Sequence, residues 1–122
     1  MPIFDQGQTV RVPFPYTDRA TRQHRPALVV SAGGLGDGAT LAWVVMITSA
    51  ENRAWIGDLP LGPDQDLAGL SAPSVIRTCK IATVEVRDLE PLGWIGPRLL
   101  NDVRRAMVRT LALAGPPDRA FA

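Results

Sequence analysis

The chain has 122 residues, a formal net charge of +1 and a hydrophobic share of 46%. This length and composition predict one globular domain, residues 1–122, that buries its own core. One cysteine and one histidine argue against an internal disulfide and a structural zinc site. No apolar run reaches the ~20 residues of a membrane span, and the first residues show no signal-peptide pattern. We therefore expect a cytoplasmic protein without membrane contact.

The first predicted strand covers residues 9–14, where apolar and polar side chains alternate. Pro13 and Pro15 cannot donate a ladder hydrogen bond, so they place the end of this strand at an edge or outside the sheet. A polar loop follows over residues 15–24. Basic side chains cluster in this loop and directly after it: Arg19, Arg22, His24 and Arg25. Nucleic-acid binding requires such a local basic surface rather than a basic average.

Two apolar runs, rich in β-branched residues, predict strands over residues 28–30 and 42–47. The glycine-rich residues 33–38 between them are typical of a hairpin with a flexible loop. Extended segments are also predicted at residues 57–61, 73–78, 81–86 and 89–95. Residues 64–70 predict one helical turn that Gly69 stops.

One helix is predicted near the end of the chain, starting at Pro97, because proline suits the first helical position. Apolar residues then recur at steps of three and four, which forms one apolar face: Leu99, Leu100, Val103, Met107, Val108 and Leu111. Asp102 stands three residues before Arg105 and predicts a weak ion pair, and residues 115–117 end the helix. Because all strands precede the helix, we predict a mainly β protein, a small barrel-like sheet capped by a C-terminal α-helix.

The candidate site is predicted where the second and third strands meet. Arg25 stands at the start of the second strand, where Pro26 fixes the chain direction. Its guanidinium is always charged and suits a phosphate; the alternative is a solvated arginine at a strand start. Thr48 and Ser49 end the third strand. Antiparallel pairing brings Arg25 and Thr48 to one end of the sheet, so we predict that they share a surface pocket, lined also by the loop over residues 15–24.

Three aromatic side chains have the chemistry to stack on unpaired bases. Tyr16 belongs to the polar loop. Trp55 follows the polar residues 49–53 and is interpreted as a surface platform. Trp43 lies within a predicted strand and is interpreted as structural.

Taken in order, these segments resemble the PemK/MazF family of toxin endoribonucleases from bacterial toxin–antitoxin pairs. The matching pieces are residues 12–18, 24–31, 47–49 and 73–77, followed by the amphipathic helix. The resemblance implies an SH3-like barrel of the CcdB/PemK/MazF toxin type, a homodimer, and metal-independent, cofactor-free cleavage of single-stranded mRNA. It also implies a cognate antitoxin that blocks the RNA groove, with operator DNA bound only through the antitoxin complex. The related toxin CcdB poisons gyrase through a C-terminal Trp-Gly-Ile, which this chain lacks.

RNA cleavage without a metal proceeds by attack of the 2′-OH on the adjacent phosphorus, which leaves a 2′,3′-cyclic phosphate and a free 5′-OH. It requires a proton acceptor, stabilisation of the phosphorane and a proton for the leaving oxygen. The resemblance gives Arg25 the stabilising role and Thr48 a phosphate contact or proton relay, and it places Arg77 on the phosphate. His24 is the only histidine, which excludes a ribonuclease that uses two histidines.

The general base stays open at this point. In members that carry the equivalent of Arg77, an aspartate often stands two positions later, where this chain has Cys79 followed by Lys80. His24, Asp18 and a thiolate of lowered pKa at Cys79 are the candidates, although a small, half-buried cysteine is the simpler interpretation. Candidate RNA contacts complete the predicted site: Tyr16, Asp18, Arg22, His24, Ser49, Trp55, Cys79 and Lys80. The alternative hypothesis is a weak or inactive barrel of the same family that binds nucleic acid or protein.

Overall fold

A computed structural model describes residues 4–14 and 23–113 of the chain. The described residues form one sheet of six antiparallel strands, followed by one α-helix. The elements are β1 Gln8–Phe14, β2 Gln23–Val29, β3 Leu41–Ser49, β4 Asp58–Pro60, β5 Ser74–Glu85, β6 Glu90–Trp94 and α1 Pro97–Leu111. Their order across the sheet is β4-β5-β3-β2-β1-β6. The predicted class, mainly β with a C-terminal helix, is confirmed.

The strands bury side chains on both faces of the sheet, because successive residues of a strand point to opposite sides. One face forms a core of Val10, Val12, Ala27, Val29, Val44 and Met46, closed by Phe4 and Leu89. The other face forms a core of Leu28, Val45, Ile47 and Ile76, closed by Leu61, Ala68, Ile95 and Val103. The continuous apolar run of the third strand therefore reflects burial on both sides.

The helix α1 begins at Pro97, as predicted. The backbone N–H of Gly96, the residue before it, donates to Asp64 Oδ2 at 2.8 Å, and Ala112 ends the helix in the left-handed conformation. Val103 and Ala106 are buried against the sheet, whereas Val108 and Leu111 are exposed, so the predicted apolar face is only partly covered. The predicted pair of Asp102 and Arg105 forms at 3.7 Å on the surface. No helix in the described part of the chain is long and apolar enough to cross a bilayer.

One prediction about the strands is confirmed and one is corrected. The strand β1 lies between β2 and β6, but β6 pairs with β1 only as far as Arg11, so the end of β1 at Pro13 is an edge, as predicted. The strand β5 runs without interruption over residues predicted as two segments. Its register against β3 shifts between Val45, opposite Ile81, and Met46, opposite Arg77, which leaves residues 78–80 as a wide bulge.

The region after β4 agrees with its prediction. A short 3₁₀ helix covers Gly62–Asp64, and one helical turn follows it, in which Ala68 N–H donates to Asp64 O at 2.9 Å. Gly69 has a φ of 77°, which favours glycine. The segment is tied to the sheet, because Thr9 Oγ1 donates to Ala68 O at 2.7 Å and Trp94 N–H donates to Leu67 O at 3.1 Å.

Candidate active site

A cavity of about 250 Å³ opens at the ends of β2 and β3, and both Arg25 and Thr48 line it. The two strands pair from Val29–Val44 to Ala27–Met46 and then continue. The same register, extended by two residues, sets Arg25 opposite Thr48. Six further residues line the cavity: Pro26, Ile47, Ser49, Asn52, Ala72 and Ser74. The structure therefore brings the two residues into one pocket, and both lie at positions fixed by the sheet.

Arg25 presents its side chain at the surface of this cavity. The residue is exposed, and its Nη2 donates to Gln23 Oε1 at 3.4 Å, a long contact between exposed groups. Pro26 adjoins it at the cavity wall and restricts the backbone of Arg25 to an extended conformation. A permanently charged guanidinium at the mouth of a cavity can meet a phosphate without crossing the core.

The hydroxyl of Thr48 is held by a neighbouring amide. Asn52 Nδ2 donates to Thr48 Oγ1 at 2.6 Å, so this oxygen is an acceptor in that bond and keeps its own proton to donate. Ser49, the next residue, accepts the N–H of Glu51 through its hydroxyl at 3.2 Å. Together these bonds fold the start of the loop after β3 over the cavity.

Arg77 lies outside the walls of the Arg25–Thr48 cavity and is 8% exposed. Its guanidinium donates to both carboxylate oxygens of Asp58 at 3.0 and 3.1 Å and to Arg53 O at 2.8 Å. It also lies 4.3 Å from the ring centroid of Trp55. These bonds fix the loop between β3 and β4, and the phosphate contact of Arg77 stays a prediction.

The ion pair sets the electrostatics of this loop. The hydrogen bond from the Arg77 guanidinium holds the pKa of the Asp58 carboxyl below its ordinary value, although burial works in the opposite direction. The N–H of Trp55 also donates to Asp58, at 2.9 Å, and lowers the pKa further. Asp58 thus stays ionised and anchors both Arg77 and the backbone at Trp55.

The remaining predicted residues are scattered around the cavity or lie outside the described part of the chain. Tyr16, Asp18 and Arg22 belong to the residues that the structure does not describe. His24 lies not in this cavity but in a neighbouring one. Cys79 and Lys80 are exposed within the β5 bulge.

Cys79 corrects the expectation of a half-buried cysteine. Its Sγ lies 3.5 Å from Ile56 O, and the residue is absent from the walls of the Arg25–Thr48 cavity. The neighbouring Thr78 Oγ1 donates to Gly57 O at 2.7 Å. The bulge therefore supports the loop between β3 and β4. Over the residues described, no three His, Cys, Asp or Glu side chains cluster as a metal site.

The two tryptophans of the strand and loop are both at the surface. Trp43 is 43% exposed, which corrects its interpretation as a core residue. Trp55 is 45% exposed, as expected of a surface platform, with one face of its ring against Arg77. Ile56 beside it is 96% exposed.

Sequence reasoning missed two polar residues of the cavity. Asn52 stands four residues after Thr48, which is the spacing of a side chain returning across a turn, but nothing in the local pattern requires that return. Ser74 begins β5, and its hydroxyl donates to Ala72 O at 2.8 Å. The pairing of Ser49 with Ser74 brings this strand start to the cavity, and such pairing is a long-range property.

The chain matches, over residues 5–111, the family described as PemK-like, MazF-like toxin of type II toxin–antitoxin system. It is similar to a mycobacterial endoribonuclease solved in complex with its cognate antitoxin, with TM-score 0.70 and 22% identity over 92% of this chain and 98% of that chain. The structure of MazE–MazF (form II) from Deinococcus radiodurans gives TM-score 0.69 and 21% identity over 91% and 97% of the two chains. The Mycobacterium tuberculosis toxin MazF-mt6 gives TM-score 0.64 and 19% identity over 86% and 97%. No curated protein sequence matches the chain significantly.

The fold, the strand-end cavity and these likenesses define a class of small, mainly β toxins with one C-terminal helix. The family match spans most of the chain, including both strands that carry the cavity. The chain belongs to the PemK-like, MazF-like toxins of type II toxin–antitoxin systems, which confirms the resemblance drawn from its sequence.

Proposed function

We propose that this protein is a toxin endoribonuclease that cleaves single-stranded mRNA at the Arg25–Thr48 cavity, without a metal or other cofactor. The observation that carries the proposal is the cavity itself, in which a cationic guanidinium and a proton-bearing hydroxyl stand at the ends of two neighbouring strands. The reaction is attack of the ribose 2′-OH on the adjacent phosphorus. The P–O5′ bond breaks, the leaving O5′ takes a proton from water, and the products carry a 2′,3′-cyclic phosphate and a 5′-OH.

Arg25 and Thr48 have different roles at the reacting phosphate. The Arg25 guanidinium binds the non-bridging oxygens, on which negative charge grows as the phosphorane forms. Thr48 donates its hydroxyl proton to the phosphate, because the Asn52 amide already occupies its oxygen as a donor. Arg77 acts as a positioning residue: it holds Arg53 O, the carbonyl next to Asn52, and so fixes the segment that orients Thr48.

The proton acceptor for the 2′-OH is not among the described cavity residues, since none of them is a carboxylate or an imidazole. Our candidates for this role are His24, in the neighbouring cavity, and Asp18, which precedes β2 in the sequence. Cys79 stands outside the cavity walls. A cysteine in place of an aspartate at this position therefore leaves the described walls intact, which favours an active enzyme over the inactive binding barrel.

Substitution of Arg25 tests the proposal. We expect Arg25→Ala to lower the cleavage rate by about a hundredfold or more, since one lost donor to a developing oxyanion costs roughly 3–4 kcal/mol. The loss should appear mainly in kcat. Arg87→Ala is the matched control, because Arg87 is exposed and paired with Glu85 at the surface.

The readout is cleavage of a long transcript, with product ends mapped and circular dichroism confirming that both variants are folded. Cleavage should also persist in EDTA. Parental activity in Arg25→Ala, or loss of cleavage on chelation, would contradict the mechanism. Absence of any RNA cleavage by the parent protein would favour the inactive binding barrel instead.

We further propose a homodimer formed through the groove along α1. This groove of about 300 Å³ is lined mainly by apolar residues of α1 together with Val30 and Trp43. Val108, Leu111 and Leu113 are exposed beside it, and an exposed apolar surface of this kind favours an interface. Analytical ultracentrifugation should give a dimer for the parent and a monomer for Leu111→Glu; a monomeric parent at micromolar concentration would contradict it.

The cognate antitoxin is the second proposed partner. Solved relatives include an endoribonuclease bound to its cognate antitoxin and a MazE–MazF structure. We propose that an antitoxin covers the RNA cavity of this chain, and that operator DNA is bound only through that complex. Because the proposed substrate is mRNA, we propose that the protein acts in the cytoplasm.

A further inference from the structure

A second cavity, of about 420 Å³, adjoins the first. Pro26, Ala72 and Ser74 line both of them. The two cavities therefore adjoin at these three residues, one at the Arg25–Thr48 end and the other beside Arg11.

The second cavity has a cationic wall built on the sheet. Arg11 and His24 both line it. Arg11 pairs with Pro26 in the β1–β2 register, so His24, two residues before Pro26, is its diagonal neighbour on the same face. Glu90 stands opposite Arg11 on β6, yet the two form no ion pair among the described residues. The Arg11 guanidinium thus faces the cavity, and within residues 4–14 and 23–113 no carboxylate forms an ion pair with it.

The opposite wall is a turn fixed to the sheet. Gly69 and Leu70 line the cavity from this side. A Cβ at Gly69 would stand 2.7 Å from Leu92 O, so the turn packs directly on β6. The bond from Thr9 Oγ1 to Ala68 O anchors the preceding residue. The cavity therefore has two supported walls rather than one exposed face.

We propose that this second cavity binds the backbone phosphate next to the one that is cleaved, and that Arg11 is the residue that contacts it. The inference rests on the proposed RNA cleavage and adds a subsite to it. A single RNA strand that places one phosphate at Arg25 continues past the shared residues Pro26 and Ser74 into the second cavity. Its next phosphate then meets a second guanidinium, with His24 beside it. The substrate is consequently an oligonucleotide that extends beyond the cleaved bond, and Arg11 contributes to its binding and not to bond breaking.

The test is a double-mutant cycle that combines one substitution in the protein with one uncharged linkage in the RNA. The probe is a 2′-O-methyl oligonucleotide spanning the site that the parent cuts, since it lacks the nucleophile and reports binding alone. Methylphosphonate replaces one phosphate at a time on either side of the scissile position. Arg11→Gln is compared with Arg87→Gln, whose parent arginine is exposed and lies outside both cavities.

We expect Arg11→Gln to raise the Kd by about tenfold or more, the loss of one hydrogen-bonded charge contact, and to reduce the salt slope of log Kd by about 0.7. One adjacent methylphosphonate should weaken binding by the parent but not further weaken binding by Arg11→Gln. The assignment is overturned if the affinity losses from Arg11→Gln and from the methylphosphonate add at every adjacent position. It is also overturned if Arg11→Gln has the same Kd and salt slope as Arg87→Gln. Unchanged RNA binding with weaker antitoxin binding would also overturn it and assign Arg11 to the antitoxin.

The Arg11 subsite can be tested even if the proposed RNA cleavage is not observed. If the parent cuts no RNA, the same binding cycle is performed with a mixed-sequence 2′-O-methyl oligonucleotide, in which methylphosphonate replaces the phosphates of one central segment. Non-additivity there supports the Arg11 subsite without cleavage, and additivity rejects it.

Discussion

The buried ion pair of Asp58 and Arg77 predicts an asymmetric and pH-dependent loss of stability when either partner is removed. Both side chains are 9% exposed, and the two bonds between them measure 3.0 and 3.1 Å. Removing one partner of such a pair costs about 3–5 kcal/mol, because the other charge is left buried and uncompensated. We expect Asp58→Ala to lose this amount at pH 7, since an arginine does not release its proton.

Arg77→Met leaves a carboxylate instead. Asp58 still accepts the Trp55 N–H at 2.9 Å and can take up a proton as the pH falls. The pKa of Asp58 is lowered in the folded protein from an ordinary value of 3.8, chiefly by Arg77. The pair therefore stabilises the fold above about pH 4, and its contribution is lost as the pH falls through the lowered pKa. Arg77→Met should lack this part of the acid dependence.

Urea unfolding followed by circular dichroism, from pH 7 to pH 2.5, measures both effects. Arg87→Met removes a surface pair at 77% and 46% exposure and should change the free energy of unfolding by less than about 1 kcal/mol. An unfolding cost of Asp58→Ala no greater than that of Arg87→Met at pH 7 would contradict a buried, uncompensated charge. Full parental acid dependence in Arg77→Met would contradict the role of Arg77 in lowering the pKa of Asp58.

Two further predictions concern the cavity and the packing of β6. Asn52→Ala should slow cleavage by up to about tenfold, the worth of one hydrogen bond of 0.5–1.5 kcal/mol, with an unchanged melting temperature; parental kinetics would contradict a role in orienting Thr48. Gly93→Ala should destabilise the protein by about 1–3 kcal/mol, because the added Cβ would stand 2.3 Å from Leu67 O. A melting temperature within 1 °C (~0.2 kcal/mol) of the parent value would show that residues 67–69 move to accommodate the added Cβ. Gly33→Ala is the comparison, since its added Cβ has open space but its φ of 73° is positive, whereas that of Gly93 is not, so its cost reports backbone strain without a clash.

The fold was largely predictable because local patterns specify most of it. The β-branched run before Met46 and the helix start at Pro97 each carry a local signal that tertiary packing does not override. The order of strands across the sheet was not predictable in the same way, because it depends on contacts between distant segments. The wide bulge at residues 78–80 has no signal in the sequence either, and it explains why β5 was predicted as two pieces.

The same distinction between local and long-range signals applies to the candidate site. Arg25 and Thr48 could be brought together from sequence, since an antiparallel hairpin places a strand start beside a strand end. Arg77 could not be assigned by that reasoning, because its direction depends on Asp58, which lies 19 residues earlier on β4. Trp43 was predicted inside because its neighbours are apolar, but alternation along β3 turns its ring toward the surface beside α1.

The walls of the Arg25–Thr48 cavity also impose an order on its assembly during synthesis. They come from the start of β2, from the end of β3 with its following loop, and from Ser74 at the start of β5. Contacts between such distant segments form late, so a nascent chain that ends before β5 carries Arg25 and Thr48 but no closed cavity. For a protein proposed to cut mRNA, the ribosome is then exposed to an active site only after most of the chain has emerged. On the proposed function, the connectivity of the sheet itself delays cleavage of the message that is being translated.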